Sequence, residues 1–169
     1  MVMPDGIGYA KYKNLLDQLL QGLKRAFGEE NILSCALFGS VARGEARPDS
    51  DIDVLIVHRE VDFSPTGRFV DVLFKLRKSD EYRRLEAEGL NPDPSPIFMT
   101  EKKMYERPLI LLDVLDHGII IHDNGVLRKR LESLEKRLTE LGSRKVVLED
   151  GSWYWDLKPD WKPGEVIEL

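Results

Sequence analysis

Cysteine is almost absent. Cys35 is the only one in 169 residues, which excludes an intrachain disulfide and any cysteine-built metal cluster. It falls in an apolar stretch with no partner at ligand spacing, so it reads as a small core residue. Histidine is scarce too: His58, His117 and His122 are too scattered for a zinc motif, and each reads as a strand-end residue. Long apolar runs are missing. The longest candidate, residues 109–121, is interrupted by Asp113 and Asp116, and nothing reaches the roughly 18 residues that a membrane span needs. The opening residues, with Pro4 and Asp5 and no apolar core, do not read as a signal peptide. Cytoplasm is the expected location, with no membrane partner. Positive charge is not in excess, and the net charge of −5 argues against a duplex-nucleic-acid binder. No internal repeat or low-complexity tract appears.

What is present suffices for a core: 42% of residues are hydrophobic, enough at this length for one domain and a possible appendage. Tyr12, Leu15, Leu16, Leu19, Leu20, Leu23 and Phe27 trace an amphipathic helix that Gly28 can end. Residues 32–38 and 52–57 read as strands. Phe69, Val72, Leu73 and Leu76 follow helical spacing, and the helix-forming residues up to Glu88 continue them. Asn91-Pro92-Asp93-Pro94 breaks the chain before a short strand over 95–100. Thr100 is a candidate N-cap for a helix interrupted near Pro108, and Gly118 precedes a strand over 119–121. Helices alternating with strands predict an α/β domain with a small mixed sheet flanked by helices.

The chemistry concentrates between Leu37 and Val57. Asp51 and Asp53 are two apart at the opening of an Ile/Val/Leu-rich strand, so their side chains leave the same face roughly 7 Å apart along the chain. Two carboxylates on one face can share a cation. Oxygen ligands of this kind suit Mg²⁺, which takes one or two carboxylates and completes its octahedron with water and substrate phosphates. The expected ligand is therefore a nucleoside triphosphate. Gly39-Ser40 directly follows the preceding strand, where a residue without Cβ lets backbone amides approach phosphate and Ser40 can donate its hydroxyl. Ser40 is a natural N-cap for a short helix through Arg43, whose charge can serve the same phosphates.

Gly39-Ser40, ten intervening residues, then Asp51-Ile52-Asp53 resembles the signature of the DNA polymerase β-like nucleotidyltransferase superfamily, in particular its minimal stand-alone members. The resemblance implies the nucleotidyltransferase fold, Asp51 and Asp53 as holders of Mg²⁺, and Gly39-Ser40 as the triphosphate seat. It also implies transfer of a nucleoside monophosphate to an acceptor hydroxyl. In related small proteins the acceptor is a drug, a nucleic-acid end or a protein side chain, and some minimal members resemble antitoxins that modify a partner toxin. Members that transfer nucleotides usually carry a third carboxylate on a neighbouring strand as general base. That position falls near Ile97, where no carboxylate stands. Asp71 fills the role if residues 68–74 form a strand. The helical spacing favoured there puts it on a solvated face instead. Asp156, from the C-terminal segment, is the other candidate. Without a base, the competing expectation is a non-catalytic nucleotide-binding or antitoxin-like interaction module.

A nucleotidyltransferase-like domain is expected over 1–125, with residues 126–169 forming a C-terminal helix and aromatic hairpin packed on it. Leu127, Leu131, Leu134, Leu138 and Leu141 form a seam on that helix. It reads either as docking on the protein's own sheet or as a homodimer contact. Asp150-Gly151 between apolar runs predicts a type I′ hairpin. Trp153, Tyr154, Trp155 and Trp161 beside Lys158 and Lys162 either cover the core or stack bases.

Overall fold

The computed structural model describes residues 6–106 and 109–169. Pro4, Asp5 and Pro108, on which the leader and helix-break expectations rest, lie outside the described residues. The chain divides into a first unit ending at Leu127 and a second, Arg128–Leu169.

In the first unit, helix α1 (Tyr9–Phe27) buries the apolar stripe its three-and-four spacing predicts, from Tyr12 through Leu23 to Phe27. Gly28, at φ 95°, takes the chain out of the helix while its N–H closes on the Lys24 carbonyl. Strand β1 (Ile32–Leu37), helix α2 (Gly39–Arg43) and strand β2 (Ile52–His58) follow, then helices α3 (Pro65–Leu76) and α4 (Asp80–Ala87) and strand β3 (Pro94–Thr100). Helices α5 (Glu101–Glu106) and α6 (Leu109–His117), strand β4 (Ile119–Asp123) and the start of α7 (Val126–Leu141) complete it. The sheet order is β3-β2-β1-β4, with β2 and β3 parallel and the other pairs antiparallel. This is the expected small mixed sheet flanked by helices.

The single helix expected through Glu88 is two. Arg77 closes α3, and Ser79 caps α4, its hydroxyl accepting from the Tyr82 N–H at 3.2 Å. The serine offers a backbone-competing oxygen where an uninterrupted helix has no use for one. Residues 68–74 are helical, as their spacing favoured.

Strand β2 sorts the molecule into two faces. Ile52, Val54 and Ile56 lie in one core with α1 residues and with Phe69 and Val72 of α3. Phe98, paired with Ile56 on the parallel neighbour, stacks on Phe27 at 6.0 Å and meets the edge of Phe69 at 5.8 Å. Alternation along the strand then sends Asp53 and Leu55 to the opposite face. Cys35 is buried in β1, where burial pushes its thiol up to about 12.

In the second unit the remainder of α7 precedes a hairpin of β5 (Arg144–Val147) and β6 (Trp153–Asp156). Its connection is not type I′, which needs two residues at positive φ. Of the loop residues only Gly151 has one, at 83°. The Leu148 N–H bonds the Ser152 carbonyl and the Gly151 N–H bonds the Leu148 carbonyl, a tight turn closed by a left-handed glycine. Asp150 accepts from the Ser152 N–H at 2.9 Å, which favours this longer turn. Lys145 Nζ sits 4.3 Å over the Trp153 ring. Lys158 pairs with Glu165, and Trp161 donates its indole N–H to the Glu165 carbonyl.

Candidate functional site

The segment between β1 and β2 is built around Gly39. Its φ of 71° lies in the left-handed region, and a Cβ built there would collide with the Asp53 carboxylate at Oδ2. Glycine is therefore required both for the backbone and for the room the carboxylate occupies. The Phe38 N–H donates to the Asp53 carbonyl at 3.0 Å, pinning the turn to the start of β2. Phe38, not Ser40, is the N-cap of α2, and no side chain caps it. Ser40 thus sits in the helix's first turn, two positions further in than expected, because the left-handed glycine starts the helix itself. The backbone N–H groups of that turn precede the first helical acceptors and are available to an anion.

Asp51 is exposed just before β2 and accepts a hydrogen bond from Asn91 Nδ2 at 3.0 Å. Asp53 is half-buried, and its carboxyl is held above the usual carboxylate range. Burial is the largest cause, followed by the charges of Asp51 and Asp113, with Arg43 opposing. Arg43 donates Nε to Glu45 at 2.9 Å, and its Nη1 lies 3.6 Å from Asp113 Oδ1. That Asp113 oxygen is buried and, among the described residues, has no hydrogen-bond partner. One guanidinium thus stands among carboxylates that repel one another. Among the described residues no group of three or more His, Cys, Asp or Glu side chains is close enough to hold a metal ion alone.

Sequence reasoning missed Asp113. In sequence the residue is only an interruption of an apolar run, although an acid between Leu112 and Val114, both buried, is itself a signal of a specific partner. The structure does not bring Asp71 to Asp51 and Asp53. It lies exposed on α3, lining a groove with Asp17, Gln21 and Lys75, and α3 packs on the face of β2 opposite Asp53. On β3, the residues that pair with Asp53 and Leu55 are Ser95 and Ile97, neither of them acidic. Asp93, just before β3, is held by Arg77 at 2.5 Å and by the Tyr82 hydroxyl at 2.6 Å. Asp156 pairs with Arg144 inside the hairpin of the second unit.

A small mixed sheet whose second strand carries Asp53, with Asp51 just before it, under a glycine-led helical turn defines a nucleotidyltransferase-type domain. Residues 16–121 match the family profile described as a nucleotidyltransferase domain. Over 106 residues the chain is 33% identical to a protein of Methanocaldococcus jannaschii provisionally named a protein adenylyltransferase, covering 56% of this chain and 71% of that one. Similar solved structures include a toxin–antitoxin with AMP-PNP, at 13% identity over 73% of this chain and 92% of that one, with a TM-score of 0.42. A provisionally assigned nucleotidyltransferase from Sulfolobus solfataricus matches at 16% identity over 68% and 86%, with a TM-score of 0.37. The chain belongs to the nucleotidyltransferase domain family.

Proposed function

We propose that this nucleotidyltransferase uses Mg²⁺, binds ATP, and transfers the adenylyl group to a hydroxyl on a protein partner. The observation that carries the reading is the Asp53 carboxylate lodged against Gly39, close enough to Asp51 for the two charges to repel. The donor set fits the cation: two carboxylates and no third protein ligand leave coordination positions for water and phosphate oxygens, the habit of Mg²⁺. Burial raises Asp53 most, and the repulsion from Asp51 and Asp113 that adds to it is what a bound divalent charge relieves.

Asp51 and Asp53 would hold the ion, and Asn91 keeps Asp51 oriented through its amide. When bound, the ion supplies charge neutralisation and polarises the phosphoryl group undergoing in-line displacement. The first-turn amides and the hydroxyl of Ser40 receive phosphate oxygens, and Gly39 leaves room for that approach. Arg43 adds a cation beside them. ATP as donor and a protein as acceptor extend to this chain what the name of the Methanocaldococcus relative states of that protein.

Calorimetric titration with a non-hydrolysable ATP analogue at millimolar Mg²⁺ tests the reading. Binding is expected to depend on Mg²⁺, and Asp51→Asn with Asp53→Asn to remove the Mg²⁺-dependent part. Absence of binding, or equal affinity with and without Mg²⁺, overturns it.

A further inference from the structure

The site contains one feature that cation and triphosphate binding leave unexplained. Asp113 enters from α6, carried by a helix rather than by the sheet. Its Oδ1 is buried without a hydrogen-bond donor among the described residues, a costly state for a carboxylate oxygen. Arg43 Nη1 stands 3.6 Å from it, beyond hydrogen-bond length. The Asp113 side chain is nonetheless 23% exposed. Its charge is felt by Asp53. Asp93 is held by Arg77 and Tyr82, and Glu45 by Arg43, while Asp51 and Asp53 are the pair assigned to the cation.

We propose that Arg43 and Asp113 form a nucleotide-operated pair: without triphosphate, Arg43 neutralises Asp113, and triphosphate draws the guanidinium away and releases Asp113 to accept the proton of the attacking hydroxyl. The inference rests on the triphosphate reading above. A loose ion pair exchanges readily for phosphate, since a guanidinium gains bidentate, charge-assisted bonds there. In the transfer step the acceptor oxygen bonds to the α-phosphorus and its proton passes to Asp113. The bond from the α-phosphorus to the bridging oxygen breaks, and its electron pair leaves with pyrophosphate. Base and substrate are thereby coupled, because the carboxylate is freed only when the triphosphate is in place.

The test measures affinity for a non-hydrolysable ATP analogue with Mg²⁺, and formation of AMP and pyrophosphate from MgATP with water as acceptor. The variants are Asp113→Asn, Asp113→Glu, Arg43→Gln and the double variant Asp113→Asn/Arg43→Gln. Asp113→Asn is expected to bind the analogue severalfold tighter, since no pair must be broken, yet to form AMP about 100-fold more slowly, the usual scale of a lost general base. Asp113→Glu restores part of the rate. In the Arg43→Gln background most of the tightening disappears. A merely structural Asp113 would weaken affinity and rate together, and that result overturns the pair, as does unchanged AMP formation in Asp113→Asn or equal tightening in both backgrounds. Failure of the wild type to form AMP while binding the analogue also overturns it. Failure of the wild type to bind the analogue at all overturns instead the triphosphate reading beneath it.

Discussion

Asp53 carries two opposing demands. Its folded-state carboxyl sits above the usual range through burial and the neighbouring acids. The folded protein therefore holds that proton more tightly than the unfolded chain does. The fold suffers no penalty below the ordinary carboxylate pKa, loses stability as pH rises from there through the raised value, and bears the full cost above it. Asp53→Asn is accordingly expected to melt higher than the wild type at neutral pH without divalent cation, with the gap closing as pH falls below the ordinary carboxylate range. Adding Mg²⁺ should raise the wild type and leave the variant unmoved. Scanning calorimetry across pH checks this, and a variant that melts lower at neutral pH contradicts it. Gly39→Ala meets both the left-handed backbone and the carboxylate, so it is expected to cost at least about 1–2 kcal/mol in urea unfolding and to weaken triphosphate binding. Gly39, Asp51 and Asp53 were legible in sequence because their relation is local: a strand end, a turn and a strand start separated by a fixed count. Asp113 was not. Its approach to Arg43 depends on how α6 packs beside α2, across dozens of intervening residues, and no periodicity encodes that.

At the scale of elements, alternation along β2 decides which candidates can meet. The even positions from Ile52 to Ile56 enter the core with α1 and α3, so α3 and everything on it lies across the sheet from Asp53. Asp71→Asn is therefore expected to leave Mg²⁺-dependent analogue affinity unchanged, and a titration showing loss would contradict this arrangement. Asp93 ties the start of β3 to both helices. The Arg77 guanidinium holds its carboxyl below the usual range, helped by the Tyr82 hydroxyl. This stabilisation is present above the ordinary carboxylate pKa and lost as pH falls through the lowered value. Asp93→Asn should thus be destabilising at neutral pH and indistinguishable from the wild type in strong acid, the reverse of Asp53→Asn. The existence and type of most elements were readable from apolar spacing, which depends only on residues within one turn or strand. The break between α3 and α4 was written in Ser79-Asp80-Glu81, a cap followed by an acidic first turn, but helix-forming residues on both sides masked it. The hairpin turn was located correctly by Asp150-Gly151 and mistyped. The side chain of Asp150 bonds forward to Ser152, and that contact selects the longer loop.

Over the whole molecule, the residues matching the family profile, 16–121, fall within the first unit. The carboxylate strand, the glycine turn and α6 all belong to it. The second unit is a helix and hairpin with its own pairing, and its aromatic residues include exposed Tyr154 and Trp161. Among the described residues, no helix is long and apolar enough to cross a membrane. The proposed reaction cleaves a triphosphate between its α- and β-phosphates. It is tested most directly by incubating the protein with ATP and Mg²⁺ and identifying the phosphate released. Pyrophosphate is expected, with the nucleoside monophosphate recovered as AMP or bound to an acceptor hydroxyl, and release is expected to be lost in Asp53→Asn. Release of orthophosphate with ADP, or pyrophosphate release that persists in Asp53→Asn, would contradict it.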